Sequence, residues 1–262
     1  MTTVAISMVK DEEDVIRDSV TWMMHQVDHV LVADNLSTDG TRAILDELGV
    51  DVLEDPDPAY RQSEKMTALA QAAVVQYGAD WIVPFDADEL WFAYGHRRVA
   101  EALATLPDDT WIATATLYDH VATGLDDDEE TSPFLRMGWR RVTPGGLPKV
   151  ACRWREDLVI EQGNHGAHYT NMVPTRIDGV LEVRHFPYRS ATQFVRKAIN
   201  GKAAYDATDL PYSAGAHWRM YGGIAEERGD EACADWFREH FFAPDPEAGL
   251  KGEPLVYDPA TR

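Results

Sequence analysis

The feature that most constrains the fold is an alternation running through the first ninety-five residues. Short apolar runs at 3–9, 29–33, 50–53 and from Trp81 onward take turns with segments whose apolar residues recur at helical spacing. The first such segment runs to about Gln26 with Val15, Ile16, Val20 and Met23 on one side. The second covers 41–48, and the third covers 61–77 with Met66, Leu69, Ala73 and Val74 on its apolar face. Strand and helix alternating at this spacing predict βαβ units, hence an α/β fold with a mostly parallel central sheet and flanking helices. The acids of Lys10-Asp11-Glu12-Glu13-Asp14 are expected at the start of the first helix, where negative charge favours the macrodipole. Beyond residue 95 the regularity fades. A helix is expected at 99–106, strands at 110–118, 158–162 and 180–186, and helices at 190–205 and 224–241, with a loop-rich stretch at 121–150. The expected organisation is one domain in two halves, 1–120 and an irregular 121–262.

The fourth apolar run, Trp81-Ile82-Val83-Pro84-Phe85, ends on Asp86-Ala87-Asp88-Glu89, with Trp91 two residues further on. In extended backbone, side chains two apart share a face, so Asp86 and Asp88 are expected to reach one point. Two carboxylates so placed repel each other, and a divalent cation removes the conflict. Hard oxygen ligands suit Mg²⁺ or Mn²⁺, with phosphate oxygens completing the shell. The expectation is a metal–diphosphate site at the carboxyl end of a strand, where open α/β sheets bind ligands.

Charge narrows the partners. A formal net charge of −21 argues against nucleic acid and anionic membrane. The densest acidic run, Asp126 to Glu130, reads as an exposed loop. Basic residues cluster instead: six fall between Arg136 and Arg155 and five between Arg184 and Lys202, with no acid in either stretch. In an acidic protein such clusters predict a local cationic pocket for an anionic substrate. No apolar run approaches the ~18 residues of a membrane span, and the N-terminus lacks the pattern of a signal peptide. Cys152 and Cys233 form neither metal spacing nor a disulfide framework, which fits a reducing cytoplasm.

Three stretches together carry a resemblance: Met8-Val9-Lys10-Asp11-Glu12 after the first strand, Asp34-Asn35-Leu36-Ser37-Thr38-Asp39-Gly40-Thr41 after the second, and Phe85-Asp86-Ala87-Asp88-Glu89 after the fourth. Gly163-Asn164-His165 and His185-Phe186-Pro187-Tyr188-Arg189-Ser190 extend it, with Phe194, Lys197 and Asn200-Gly201 behind them. The chain resembles a family-2-type bacterial glycosyltransferase with the Rossmann-like GT-A fold, over residues 3–205. The resemblance implies transfer of a sugar from a nucleoside diphosphate donor, typically UDP-linked, to an acceptor hydroxyl with inversion. It also implies a nucleotide-sugar-binding half at 1–120 and an acceptor-side half at 121–262.

Residue by residue, the resemblance assigns Asp34 to the base, since an ionised carboxylate accepts from the N3–H of uracil. The backbone of Met8, Val9 and Lys10 would frame the nucleoside. Asp86 and Asp88 would hold Mn²⁺ or Mg²⁺, with His185 as a third ligand, and Glu89 would support them. Lys149, Arg153, Arg189 and Lys197 would contact phosphate, with Gln62 and Lys65 as further donor-site residues. The general base would be an acid of Glu156-Asp157, namely Asp157, or else Glu161, while His165 is a metal ligand or part of the acceptor site. The late Q-x-x-R-W of the more familiar family pattern is absent. The acceptor is a glycan, a lipid-linked glycan or a small molecule. Two other readings remain open. A sugar-phosphate nucleotidyltransferase expects a glycine-rich loop after the first strand, where Ser7-Met8-Val9-Lys10 has no glycine. A non-catalytic nucleotide- or glycan-binding module would bind donor without turnover.

Overall fold

A computed structural model describes residues 1–95 and 97–260. In chain order its strands are β1 (Thr3–Val9), β2 (His29–Asp34), β3 (Asp51–Glu54), β4 (Trp81–Pro84), β5 (Glu89–Ala93), β6 (Thr110–Asp119), β7 (Ala122–Thr123) and β8 (Trp139–Arg141). They continue as β9 (Lys149–Arg153), β10 (Leu158–Ile160), β11 (Ala167–Tyr169), β12 (Thr175–His185), β13 (Phe242–Ala243) and β14 (Leu255–Tyr257). The helices are α1 (Ile16–Gln26), α2 (Thr41–Leu48), α3 (Gln62–Tyr77), α4 (Val99–Ala104), α5 (Pro133–Arg136), α6 (Ala191–Asp206), α7 (Ala216–Arg228) and α8 (Asp230–His240).

The chain forms two compact units, and their boundary differs from the expected division at residue 120. The first comprises Met1–Pro56, Arg61–Tyr118 and Pro144–His185; the second takes Asp57–Tyr60, Asp119–Thr143 and the chain from Phe186 onward. The reason lies in the sheet of the first unit, whose order is β3-β2-β1-β4-β9-β6-β12-β5. Strands β3, β2, β1 and β4 run parallel, as expected. Next to β4 the direction reverses. Antiparallel β9 pairs with it (Trp81↔Arg153, Ile82↔Cys152) and β6 pairs antiparallel with β9. The sheet is therefore mixed rather than mostly parallel. Residues 144–185 return to it because β4 would otherwise expose a ladder edge in the middle of an apolar core.

That core lies between the sheet and α3. Ile6, Leu31 and Ile82 from the parallel strands, Val150 from β9, and Met66 and Leu69 from α3 are all essentially inaccessible. Helix α3 ends at Gly78, whose φ of 66° is the left-handed conformation that closes a helix at little cost in glycine. The acids of residues 11–14 do not open α1, which begins at Ile16 with Asp18 in its first turn. Two of them, Asp11 and Glu13, serve α2 instead. The Glu13 carboxylate accepts from Gly40 N at 2.9 Å, and the Asp11 carboxylate accepts from Thr38 N at 2.7 Å, immediately before α2. A neighbouring loop thus supplies the oxygens that unpaired amides at a helix start require.

In the second unit, β7 pairs with β13 and β8 with β14, and α6, α7 and α8 pack around an aromatic cluster of Phe194, Tyr188, Tyr221 and Phe241. The single helix expected at 224–241 is two, broken at Gly229, where φ 88° and ψ 163° leave helical space. No helix among the described residues is long and apolar enough to cross a membrane.

Candidate active site

The carboxyl ends of β1, β2 and β4 lie side by side, because Val9 pairs with Asp34 and Ile6 with Pro84 in parallel register. At this edge Asp34 is largely buried, at 9% exposure. One of its oxygens accepts from Ser37 N at 3.3 Å, and the other makes no hydrogen bond among the described residues. Lys10 crosses from the β1 loop to donate to the carbonyls of Asn35 (3.0 Å) and Leu36 (3.1 Å), tying the two loops together. Lys65 is likewise engaged within the protein. Its ammonium lies 2.7 Å from Asp55, which also accepts from the Asn35 amide at 2.8 Å.

Asp86-Ala87-Asp88 is a turn, not the end of a strand. Strand β4 stops at Pro84, Glu89 N donates back to Asp86 O at 3.1 Å, and β5 leaves at once in a new direction. The two carboxylates consequently have different surroundings. Asp86 faces β9 and α3. Its Oδ2 lies 2.6 Å from Lys149 Nζ, and its Oδ1 accepts from Asn164 Nδ2 at 3.0 Å and from Gln62 Nε2 at 3.3 Å. Lys149, only 3% exposed, also reaches Glu89 Oε1 at 2.8 Å and the Gly163 carbonyl at 2.8 Å. Burial alone would lower the pKa of this ammonium, but the Asp86 and Glu89 carboxylates reverse that and raise it above the ordinary lysine value. Glu89 is wholly inaccessible; burial raises its pKa, and Lys149 opposes the rise. Its other oxygen faces Asp86 N (3.2 Å) and Trp91 Nε1 (3.3 Å), which makes it the structural centre of the turn.

Asp88 points to β12. Pairing of β5 with β12 sets His185 opposite Glu89, and this brings His185 Nε2 to 3.6 Å from Asp88 Oδ1. That separation is too long for a hydrogen bond. Adjacent octahedral donors ~2.1 Å from one ion stand about 3.0 Å apart, so the pair is close to, and slightly wider than, the spacing for a shared cation. No group of three or more His, Cys, Asp or Glu side chains with metal-binding geometry occurs among the described residues. Of the expected trio, the structure brings Asp88 and His185 together and binds Asp86 to Lys149. A carboxylate oxygen and an imidazole nitrogen are donor types that fit Mn²⁺ or Mg²⁺, ions that take much of their shell from substrate.

Other expected residues stand elsewhere. Arg153 is at the far end of β9 from Lys149, ~13 Å along an extended strand. There it donates to the Thr110 carbonyl at 2.7 Å and lies over the Trp81 ring. It supports the amino-terminal edge of the sheet, opposite the Asp86 turn, and holds no phosphate at that turn. Asp157 precedes β10 at this same end, where its carboxylate lies 2.7 Å from Arg155 and accepts from the Asn171 backbone N–H at 2.9 Å. Glu161 follows β10 toward the site, but its carboxylate faces His168 at 3.3 Å. His165 lies beside the Asp86–Lys149 pair, with Nδ1 3.0 Å from the Pro148 carbonyl. Arg189 and Lys197 belong to the second unit, where they donate to the carbonyls of Phe186 (3.2 Å) and Pro187 (3.5 Å). The expected cationic cluster at 136–155 is dispersed: Arg140 pairs with Asp258 and Arg141 with Glu253. Asn164, to which the sequence lent no role, joins the Asp86 network. Its only signal was its place between Gly163 and His165.

Comparison with curated proteins finds no match. Among solved structures, the mannosyltransferase PcManGT from Pyrobaculum calidifontis, in complex with GDP-Man and Mn²⁺, is 15% identical with a TM-score of 0.42, covering 89% of this chain and 73% of that one. S. aureus TarS 1-349 in complex with UDP is 11% identical with a TM-score of 0.37, covering 86% and 72%. Glucosyl-3-phosphoglycerate synthase from Mycobacterium tuberculosis is 16% identical with a TM-score of 0.32, covering 44% of each chain, so this chain spans less than half of that enzyme. The family model of glycosyl transferase family 2 matches residues 4–144, which take in β1 to β6, the Asp34 loop and the Asp86–Glu89 turn. With more than half of its length matched, this chain belongs to glycosyl transferase family 2.

Proposed function

We propose that the chain transfers a glycosyl group from a nucleoside diphosphate sugar, UDP-linked, to an acceptor hydroxyl with inversion, using Mn²⁺ or Mg²⁺. The observation that carries this reading is the Asp88–His185 pair, 3.6 Å apart at the edge where Asp34 also ends its strand. Asp34 would accept the N3–H of uracil through the oxygen that Ser37 leaves available. Asp88 and His185 would hold the metal, whose chemistry when bound is to neutralise the diphosphate as it departs. Asp86 serves differently. Three donors occupy most of the roughly four lone-pair sites of its carboxylate, leaving about one for a donor hydroxyl.

Calorimetric titration of UDP, with GDP and dTDP as comparators and with or without Mn²⁺, tests the reading. UDP binding that needs Mn²⁺ supports it, and Asp88→Asn should weaken that binding by more than about tenfold. Binding of no nucleoside diphosphate, or unaltered Mn²⁺ dependence in Asp88→Asn, would overturn it.

A further inference from the structure

The loop at residues 162–165 is specified more tightly than a surface loop requires. Gly163 (φ 78°) and Asn164 (φ 57°) are both left-handed, and asparagine is among the few non-glycine residues that accept this conformation readily. Asn164 is fully buried and donates its amide to Asp86, while its own Oδ1 has no hydrogen-bond partner among the described residues. Gly163 N donates to Gln62 Oε1 at 2.6 Å, and Gly163 O accepts from Lys149 at 2.8 Å. Helix α3, strand β9 and the Asp86 turn therefore clamp the loop from three sides. A carboxylate in a metal motif is here also the anchor of a backbone conformation.

What the clamp presents is His165. Its ring folds over Gly163, where an added Cβ would come within 2.5 Å of Cδ2. Its Nδ1 is 3.0 Å from the Pro148 carbonyl oxygen, and a carbonyl only accepts, so Nδ1 carries the hydrogen. In the neutral ring Nε2 is then a bare acceptor. Burial first, and the nearby Lys149 charge second, lower the pKa of this histidine and favour that neutral form. No hydrogen bond to Nε2 occurs among the described residues.

We propose that His165 is a substrate-contacting residue whose Nε2 accepts a hydrogen bond from a sugar-type hydroxyl, with the tautomer set by Pro148 and the ring placed by the Asp86–Asn164–Lys149 clamp. The proposal rests on the glycosyl-transfer reading. The hydroxyl belongs either to the donor sugar or to the acceptor at its reacting position, and one variant separates the two. Asn at position 165 keeps an N–H near the Pro148 carbonyl and removes Nε2, so His165→Asn retains the loop tie while deleting the acceptor.

The test uses the full chain with Mn²⁺, UDP and a panel of UDP-glucose, UDP-galactose and UDP-N-acetylglucosamine. His165→Asn should leave UDP affinity within about twofold. A loss of tenfold or more in affinity for the bound UDP-sugar assigns the hydroxyl to the donor. A loss of that size in the rate of UDP-sugar hydrolysis, with affinity unchanged, assigns it to the acceptor position that water then occupies. ¹⁵N NMR of histidine-labelled protein, with His165→Asn to identify the resonance, should show Nδ1 protonated and Nε2 bare. Nδ1 found bare overturns the proposal, as do UDP-sugar affinity and hydrolysis both within twofold of wild type. A wild-type chain that binds no nucleoside diphosphate removes the glycosyl-transfer reading and this proposal together.

Discussion

Replacing Lys149 with methionine tests the energetics of the site directly. The ammonium is 3% exposed and bridges Asp86 at 2.6 Å and Glu89 at 2.8 Å, of which Glu89 is wholly buried. Methionine fills nearly the same volume, so little cavity is created and the loss is electrostatic. Removing one partner of a buried ion pair costs about 3–5 kcal/mol, because the remaining charge is left uncompensated. For a chain of this size each kcal/mol moves the melting temperature by roughly 2–4 °C, so Lys149→Met should melt on the order of 10 °C lower at pH 8. The deficit should depend on pH with a definite sign. Burial already raises the Glu89 pKa, and loss of Lys149 raises it further. The folded variant then binds a proton that the unfolded chain has released above about pH 4.3, so its stability falls as pH rises from there through the folded value. The deficit should therefore be smaller at pH 5 than at pH 8. Lys149→Met/Glu89→Gln, which removes the buried charge along with its counter-ion, should recover about half of the loss, leaving only the half-exposed Asp86 unpaired. Urea unfolding of the three proteins at both pH values is the assay. A single variant within about 1 kcal/mol of wild type, or a double variant no more stable than the single, would refute the account.

Further outcomes concern residues outside the turn. Arg153→Ala should lower the melting temperature through its lost contacts to the Thr110 carbonyl and the Trp81 ring, and leave Mn²⁺-dependent UDP affinity unchanged; a tenfold affinity loss would return it to the site. Gly222→Ala should destabilise the second unit by about 1–3 kcal/mol, because the new methyl would lie 2.7 Å from the Ala198 carbonyl and against Lys202 between α6 and α7. Chemical denaturation monitored by tryptophan fluorescence reads that loss, and a neutral result would mean the helices separate without cost.

The parallel half of the sheet was legible because local periodicity encodes it: β1 and α2 fall on the expected residues, and β2, β3 and α3 within one. The site was legible in identity but less so in geometry. Extended backbone across Asp86-Ala87-Asp88 would set both carboxylates on one face, whereas a turn sends the two to different neighbours. Strand β5 was hidden because its first residue is the acidic Glu89, whose burial depends on a lysine 60 positions away. Lys149 and Arg153 looked equivalent in sequence, two cations at the ends of one short apolar run. Only the pairing of β9 with β4 reveals that one lies at the site and the other at the opposite edge. Nonlocal register is what a single sequence conceals.

The insertion of β9 beside β4 also bears on the order in which this protein is made. The Asp86 turn leaves the ribosome well before its counter-ion does, and at ~5–20 residues per second some 3–12 s pass between the two. Throughout that interval the nascent chain holds the parallel strands, the acid Glu89 that ends wholly buried and the partly exposed Asp86, without the Lys149 cation that accompanies them. Those acids must stay hydrated, and the turn must stay open, until Lys149 emerges and β9 slides into place. A ribosome stalled before residue 149 would thus display a sheet with an unseated active-site turn, and one released after β9 has formed would display the turn closed.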